Sequence, residues 1–180
     1  PDYVAGDLCR RGDFQTFTVK GRGEFKIRLW GEHNVRNALA VIAAARQLGV
    51  PFAAIKEALA GFRGADRRCQ VLGRFRGATI IDDYAHHPTE IRATLAAVRD
   101  FYGPEKRINV LFHPHTFTRT KALFPEFVRS FEDADTVSVL DIYGSAREQQ
   151  GGVSSPQLVE AIKEENRSQG RKQAVRYLGD

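Results

Sequence analysis

Between Cys69 and Leu178, short β-prone runs alternate with longer stretches of helical spacing. Cys69 to Phe75 and Ala78 to Ile81 read as strands, and Thr89 to Phe101 reads as a helix with Pro88 near its first turn. Arg107 to Phe112 is an apolar strand, Lys121 to Phe131 a helix, and Thr136 to Leu140 a strand. Pro156 to Gln169 is a helix and Ala174 to Leu178 a last strand. Strands separated by helices of about 10–15 residues predict an α/β fold, a mostly parallel sheet covered by helices.

The first third reads differently. Phe14 to Val19 and Glu24 to Trp30 are β-prone and flank Lys20-Gly21-Arg22-Gly23. Phe25, Ile27 and Leu29 alternate with Lys26 and Arg28, so the pair predicts a hairpin with one wet face. From Asn34, Val35, Leu39 and Ile42 fall at helical spacing up to Gly49. Pro51 opens a second helix that Gly61 stops, and the polar stretch Gly61 to Arg68 is the candidate domain boundary. The expected domains are residues 1–65 and 66–180.

Composition narrows the class. With 42% hydrophobic and 27% charged residues, the 180-residue chain has globular proportions. No run nears the about 18 apolar residues of a membrane span, and nothing resembles a signal peptide. Cys9 and Cys69 make no disulfide framework, so a soluble cytoplasmic protein is expected. The net charge of +5 comes from scattered cations, which suit an anionic small substrate as well as nucleic acid.

In open α/β sheets, ligands sit beyond the carboxyl ends of strands. Asp82-Asp83-Tyr84-Ala85-His86-His87-Pro88, His113 to Thr120, and Asp141-Ile142-Tyr143-Gly144 all follow predicted strands. If the first two of these strands are neighbours, their loops converge and gather His86, His87, His113 and His115. Those histidines could hold a metal, cap helices, or line a polar site for an anionic or nucleotide ligand. Their spacing matches no zinc signature, so no metal site is assigned. An aspartate at a strand end suits ribose hydroxyls, whereas adjacent Asp82 and Asp83 point to opposite strand faces and cannot share a proton.

Arg119, Lys121, Arg67 and Arg68 are the best-placed cations, as a grip for carboxylate or phosphate or as solvated charges. Asn34 and Asn37 share a helix face, where their amides could meet an adenine edge; spacing alone favours Asn34 as the helix N-cap. No G-x-x-x-x-G-K-[ST] or G-x-G-x-x-G loop is present to cradle phosphate.

Several strings together resemble the ATP-dependent Mur ligases. They are Gly31 to Ala40 around His33, Asn34 and Asn37, then Gly64 to Gln70, DDYAHHPTEI from Asp82 to Ile91, HPHTFTRT from His113 to Thr120, and Asp141-Ile142-Tyr143. The sharper strings are similar to those of the members that join L-alanine to UDP-N-acetylmuramate. The resemblance implies that ATP phosphorylates the muramate carboxylate and that the L-alanine amine attacks the acyl phosphate, in peptidoglycan precursor synthesis. It implies a bacterial cytoplasmic enzyme with no nucleic-acid or membrane partner. It also implies a β-hairpin and two helices ending a central ATPase domain, followed by a Rossmann-like C-terminal domain.

By position, the resemblance places His33, Asn34 and Asn37 beside the adenine, Asp83 on the ribose and Arg68 on the ATP phosphates. Tyr84, His86, His115 and Arg119 would line the pocket for L-alanine and the muramoyl carboxylate. His86 and Arg119 would be catalytic, with Arg119 gripping the alanine carboxylate. Some members carry a second arginine where this chain has Thr116, and an aromatic where it has Cys69. The phosphate-binding loop, the Mg²⁺ ligands and a UDP-binding domain would lie ahead of Pro1, and a last strand and helix beyond Asp180. The chain alone would then be inactive. The alternatives are a ligase of the same family that recycles a murein tripeptide, and a free-standing binding module.

Overall fold

The computed structural model describes residues 2–146 and 151–179. The chain divides into two compact units, Pro1–Tyr84 and Ala85–Asp180. Residues 1, 147–150 and 180, including the two ends of the expected domains, lie outside the described residues.

In the first unit, β1 (Ala5–Arg11), β2 (Phe14–Val19) and β3 (Gly23–Ile27) form an antiparallel sheet in that order. The predicted hairpin is β2–β3, with Phe17 opposite Phe25. Alternation drives it: Phe25 and Ile27 are buried, while Glu24 and Lys26 face water. Strand β1 was not expected, because Ala5 to Arg11 lacks alternation and is almost wholly exposed; pairing with β2 makes it a strand. Helices α1 (Glu32–Gln47) and α2 (Phe52–Gly61) supply Val35, Ala38, Ile42, Ile55 and Leu59 to a core with Phe17, Val19, Phe25 and Ile27. The Phe17 and Phe25 rings stack at 5.8 Å.

Strands β4 (Gln70–Phe75) and β5 (Ala78–Asp82) close this unit as an antiparallel pair. Here the expectation that both join the parallel sheet is corrected. Only Arg76-Gly77 link them, both with positive φ (48° and 83°), which is a tight hairpin turn. Parallel neighbours need a crossover of a dozen or more residues.

The second unit holds the parallel sheet: β6 (Asn109–Phe112), β7 (Thr136–Val139) and β8 (Ala174–Tyr177), in that order. Val110, Val137 and Val175 lie in register across it. Helix α3 (Pro88–Tyr102) precedes β6, α4 (Phe117–Ala122) and α5 (Phe124–Val128) connect β6 to β7, and α6 (Ser155–Ser168) connects β7 to β8. The one helix expected over Lys121 to Phe131 is therefore two, broken at Leu123. Pro125 has no N–H to continue the first, but suits the start of the second. Phe112, Phe127, Phe131, Val137, Val139, Leu158 and Ile162 build the core. Among the described residues no helix is long and apolar enough to cross a membrane.

A polar knot fixes the start of the sheet. Asp135 Oδ2 accepts from Ile108 N at 2.7 Å and from Arg99 Nη2 at 2.8 Å, while Arg99 Nη2 also donates to Asp133 O. The backbone N–H of Ile108, then the Arg99 side chain, hold the Asp135 carboxyl below its usual range. A carboxyl lowered on folding stabilises above its unfolded pKa, and that contribution fades as pH falls through the folded one. Asp135→Asn is thus expected to lower the urea midpoint at pH 7, with the gap to wild type narrowing below about pH 4. A gap that stays constant between pH 7 and pH 3 would contradict this role.

Candidate functional site

In the first unit the chain enters α1 at Gly31, whose φ of 88° suits glycine. Gly31, not Asn34, is the N-cap, which corrects the capping expectation. Asn34 sits one turn inside and points back, donating from Nδ2 to Trp30 O at 2.7 Å. The same Nδ2 lies 3.1 Å from His33 Nε2, and Asn37 Nδ2 donates to Asn34 Oδ1 at 3.3 Å. His33, Asn34 and Asn37 thus form one hydrogen-bonded string on the first turns of α1. Burial lowers the His33 pKa, against the raising effect of Asp83, which favours a neutral ring that accepts at Nε2.

The segment after Gly64 is fastened to the end of β5. Tyr84 N donates to Arg67 O at 2.7 Å, Cys69 N to Asp83 Oδ2 at 2.7 Å, and Arg67 Nε lies 3.4 Å from Asp82. The guanidinium carbons of Arg67 and Arg68 lie 4.7 and 5.7 Å from the Tyr84 ring centre. Arg67 and Cys69 both have positive φ, so these contacts hold a strained backbone. Burial, then Asp83, pushes the Cys69 thiol up to about 12, which makes it a packing group.

A cleft of about 330 Å³ opens between these parts, lined by Trp30, Asn34, Arg68 and Cys69 among others. Asn34 and Arg68 thus share one cleft, whereas Asp83 does not line it and instead accepts from the N–H of its lining residue Cys69. The liners Arg28, Trp30 and Arg63 escaped sequence reasoning; no spacing pattern links them to Asn34.

In the second unit, His87 caps α3: its Nδ1 accepts from Thr89 N at 3.2 Å, while Glu90 Oε2 accepts from the His86 and His87 N–H groups. The same Oε2 lies 3.7 Å from His86 Nδ1, which fixes a carboxylate beside that ring. After β6, the loop carrying His113 and His115 is tied to the loop after β7. Tyr143 N donates to Pro114 O at 2.8 Å and Thr116 N to Tyr143 O at 2.9 Å. The His113, His115 and Tyr143 rings meet with centres 5.1–5.9 Å apart. Tyr143 was not picked out as a site residue, although its place after a predicted strand was visible.

Thr116 has φ 69°, and its Oγ1 accepts from Arg119 N at 3.4 Å, so it caps α4. Arg119 Nη1 in turn donates to His115 O at 3.5 Å. His115 and Arg119 therefore stand side by side. Convergence of the two histidine loops through neighbouring strands is not what the sheets provide, since β5 pairs with β4 and β6 with β7. Among the described residues no three His, Cys, Asp or Glu side chains gather as a metal site.

Known proteins sharpen this picture. The family described as Mur ligase, glutamate ligase domain, matches residues 67–179. A UDP-N-acetylmuramate–L-alanine ligase of Desulfatibacillum aliphaticivorans is 46% identical over 166 residues, covering 90% of this chain and 36% of the relative. One from Geobacter sulfurreducens is 49% identical over 158 residues, 88% of this chain and 33% of the relative. The crystal structure of a UDP-N-acetylmuramate–alanine ligase from Thermotoga maritima superposes with a TM-score of 0.77 at 28% identity, covering 99% of this chain and 37% of that one. A murein peptide ligase from Psychrobacter arcticus, 24% identical, shares the fold with a TM-score of 0.59, covering 99% of this chain and 36% of that one. The chain spans about a third of the length of the curated relatives it matches. With its family match running from the arginine pair through the histidine loops to β8, the chain belongs to the Mur ligase family.

Proposed function

We propose that this chain serves as the carboxy-terminal part of an ATP-dependent ligase that joins L-alanine to the carboxylate of UDP-N-acetylmuramate. The observation that carries the reading is 46% identity to ligases of that name over 90% of the chain. The family match over 67–179 supports reading residues 66–180 as the closing domain and 1–65 as the end of the ATP-binding one.

ATP supplies a phosphoryl group that turns the muramate carboxylate into an acyl phosphate and releases ADP. The alanine amine then adds to the acyl carbon and loses a proton. The tetrahedral intermediate collapses to the amide, and phosphate leaves with one former carboxyl oxygen. The string His33–Asn34–Asn37 on the first turns of α1 supports a purine site there, with the Asn37 amide carrying a donor and an acceptor for a base edge. In this reading Asp83 accepts ribose hydroxyls and Arg68 grips phosphate. Arg119 offers its fork to the alanine carboxylate beside His115, and His86 adds to the acceptor pocket. The His86 ring, held next to Glu90, is suited to take the proton from the attacking amine. Mg²⁺ is assigned to none of these residues.

Asp83→Ala, placed in the longer polypeptide that carries this chain, is expected to raise the ATP KM about tenfold with little change for L-alanine. Asp83→Asn keeps an acceptor for the Cys69 N–H and separates ribose binding from local folding. An unchanged ATP KM in both variants would remove Asp83 from the nucleotide site. Acceptor choice tests the reading as a whole: L-alanine should be preferred over a muramyl tripeptide, and the reverse preference would make this a recycling ligase.

A further inference from the structure

Three aromatic rings stand together where the chain leaves the carboxyl ends of β6 and β7. Beyond those strands, His115 and Tyr143 pair as one isolated parallel bridge. Its two bonds run from Tyr143 N to Pro114 O and from Thr116 N to Tyr143 O. The backbone of Tyr143 therefore brackets His115 on both sides. Residues paired in this way turn their side chains to one face, and so do residues two apart along an extended chain. Pairing thus puts Tyr143 beside His115, and spacing adds His113. The Tyr143 ring centre lies 5.1 Å from that of His115, tilted by 44°, and 5.9 Å from that of His113, edge-on at 83°. The two imidazoles are 5.2 Å apart.

This cluster is not core. All three residues are exposed, and Tyr143 keeps 59% of its surface in water. An exposed side chain changes rotamer in picoseconds to nanoseconds, and a ring packed against two others loses that freedom. What the packing fixes here is the direction of the His115 imidazole. The carbonyl of the same residue accepts from Arg119 Nη1. Tyr143 therefore holds the side chain, and Arg119 the backbone, of one residue.

We propose that Tyr143 is a positioning residue for the amino-acid acceptor and acts through His115, its ring fixing the imidazole beside the Arg119 fork. The inference rests on the acceptor pocket proposed above. It adds to that pocket a residue to which neither spacing nor resemblance gave a role.

The test is steady-state kinetics of the longer polypeptide, with L-alanine and ATP varied in turn. Tyr143→Ala should raise the KM for L-alanine about three- to tenfold, the worth of one aromatic pair, with kcat and the ATP KM moved less than about twofold. Tyr143→Phe keeps the ring and should stay within about twofold of wild type. The His115 imidazole proton resonances should shift in the alanine variant and not in the phenylalanine one. If Tyr143→Ala melts early, Tyr143→Leu decides, since it keeps apolar bulk without the flat ring, and it should raise the L-alanine KM likewise. Equal losses in Tyr143→Phe and Tyr143→Ala, or equal rises in the KM for ATP and for L-alanine, overturn the inference. An L-alanine KM that His115→Ala raises and the deciding Tyr143 variant leaves unmoved overturns it too, with the acceptor reading left standing. An L-alanine KM unmoved in His115→Ala removes His115 from the pocket and overturns both.

Discussion

Arg119→Lys is expected to raise the KM for L-alanine about 10- to 100-fold in the longer polypeptide, with the ATP KM unchanged. Thr116 sets the position of this side chain. Its left-handed backbone and its capping of Arg119 N start α4 directly after the β6 loop. That places Arg119 one turn into the helix, with Nη1 reaching back to His115 O. Among the described residues the guanidinium makes one long hydrogen bond, which leaves its fork able to take a carboxylate with two parallel N–H bonds, whereas a lysine offers a point charge. Arg119→Ala should cost more than Arg119→Lys. Unaltered alanine kinetics in both would remove this residue from the acceptor site.

Phe131→Ala is expected to destabilise the second unit by about 3–5 kcal/mol. The side chain is 1% exposed and packs 5.2 Å, centre to centre, from Phe112, the last residue of β6. The His113–Thr120 loop begins at the next residue, so loss of this packing also loosens the support of His115 and Arg119. In a thermal scan the transition of this unit should fall by more than about 12 °C, with Phe131→Leu well short of that. A loss under about 1 kcal/mol for the alanine variant would mean that the core does not depend on this ring.

Much of the fold was legible because its signals are local. The helices α2, α3 and α6 carry proline starts and periodic apolar faces, and β7 and β8 are short β-prone runs. What escaped depends on pairing or on one backbone angle. Strand β1 has no apolar alternation and exists through its ladder with β2. The antiparallel pairing of β4 and β5 lies in the two-residue link Arg76-Gly77, which is too short for a parallel crossover. Asn34 looked like a cap by residue type, yet Gly31 takes that place because only its positive φ lets the chain enter α1.

The candidate site was legible as rare strings, not as geometry. Resemblance placed Asn34, Asn37, Asp83 and Arg68, and the cleft that Asn34 and Arg68 share is a fact of folding. Arg28 and Arg63 lie far apart in sequence and carry no motif, so only the folded unit shows both lining one cleft. The Tyr143 contacts to His113 and His115 likewise arise from the bridge between the loops after β6 and β7.

The central claim is amide formation through an acyl phosphate on the muramate carboxylate, and an oxygen label tests it most directly. UDP-N-acetylmuramate labelled with ¹⁸O in its carboxyl group is incubated with ATP, L-alanine and the polypeptide that contains this chain. The released phosphate is then read by mass spectrometry. The account predicts one ¹⁸O per phosphate, formed only when L-alanine is present. Unlabelled phosphate, or equal release without L-alanine, would contradict it.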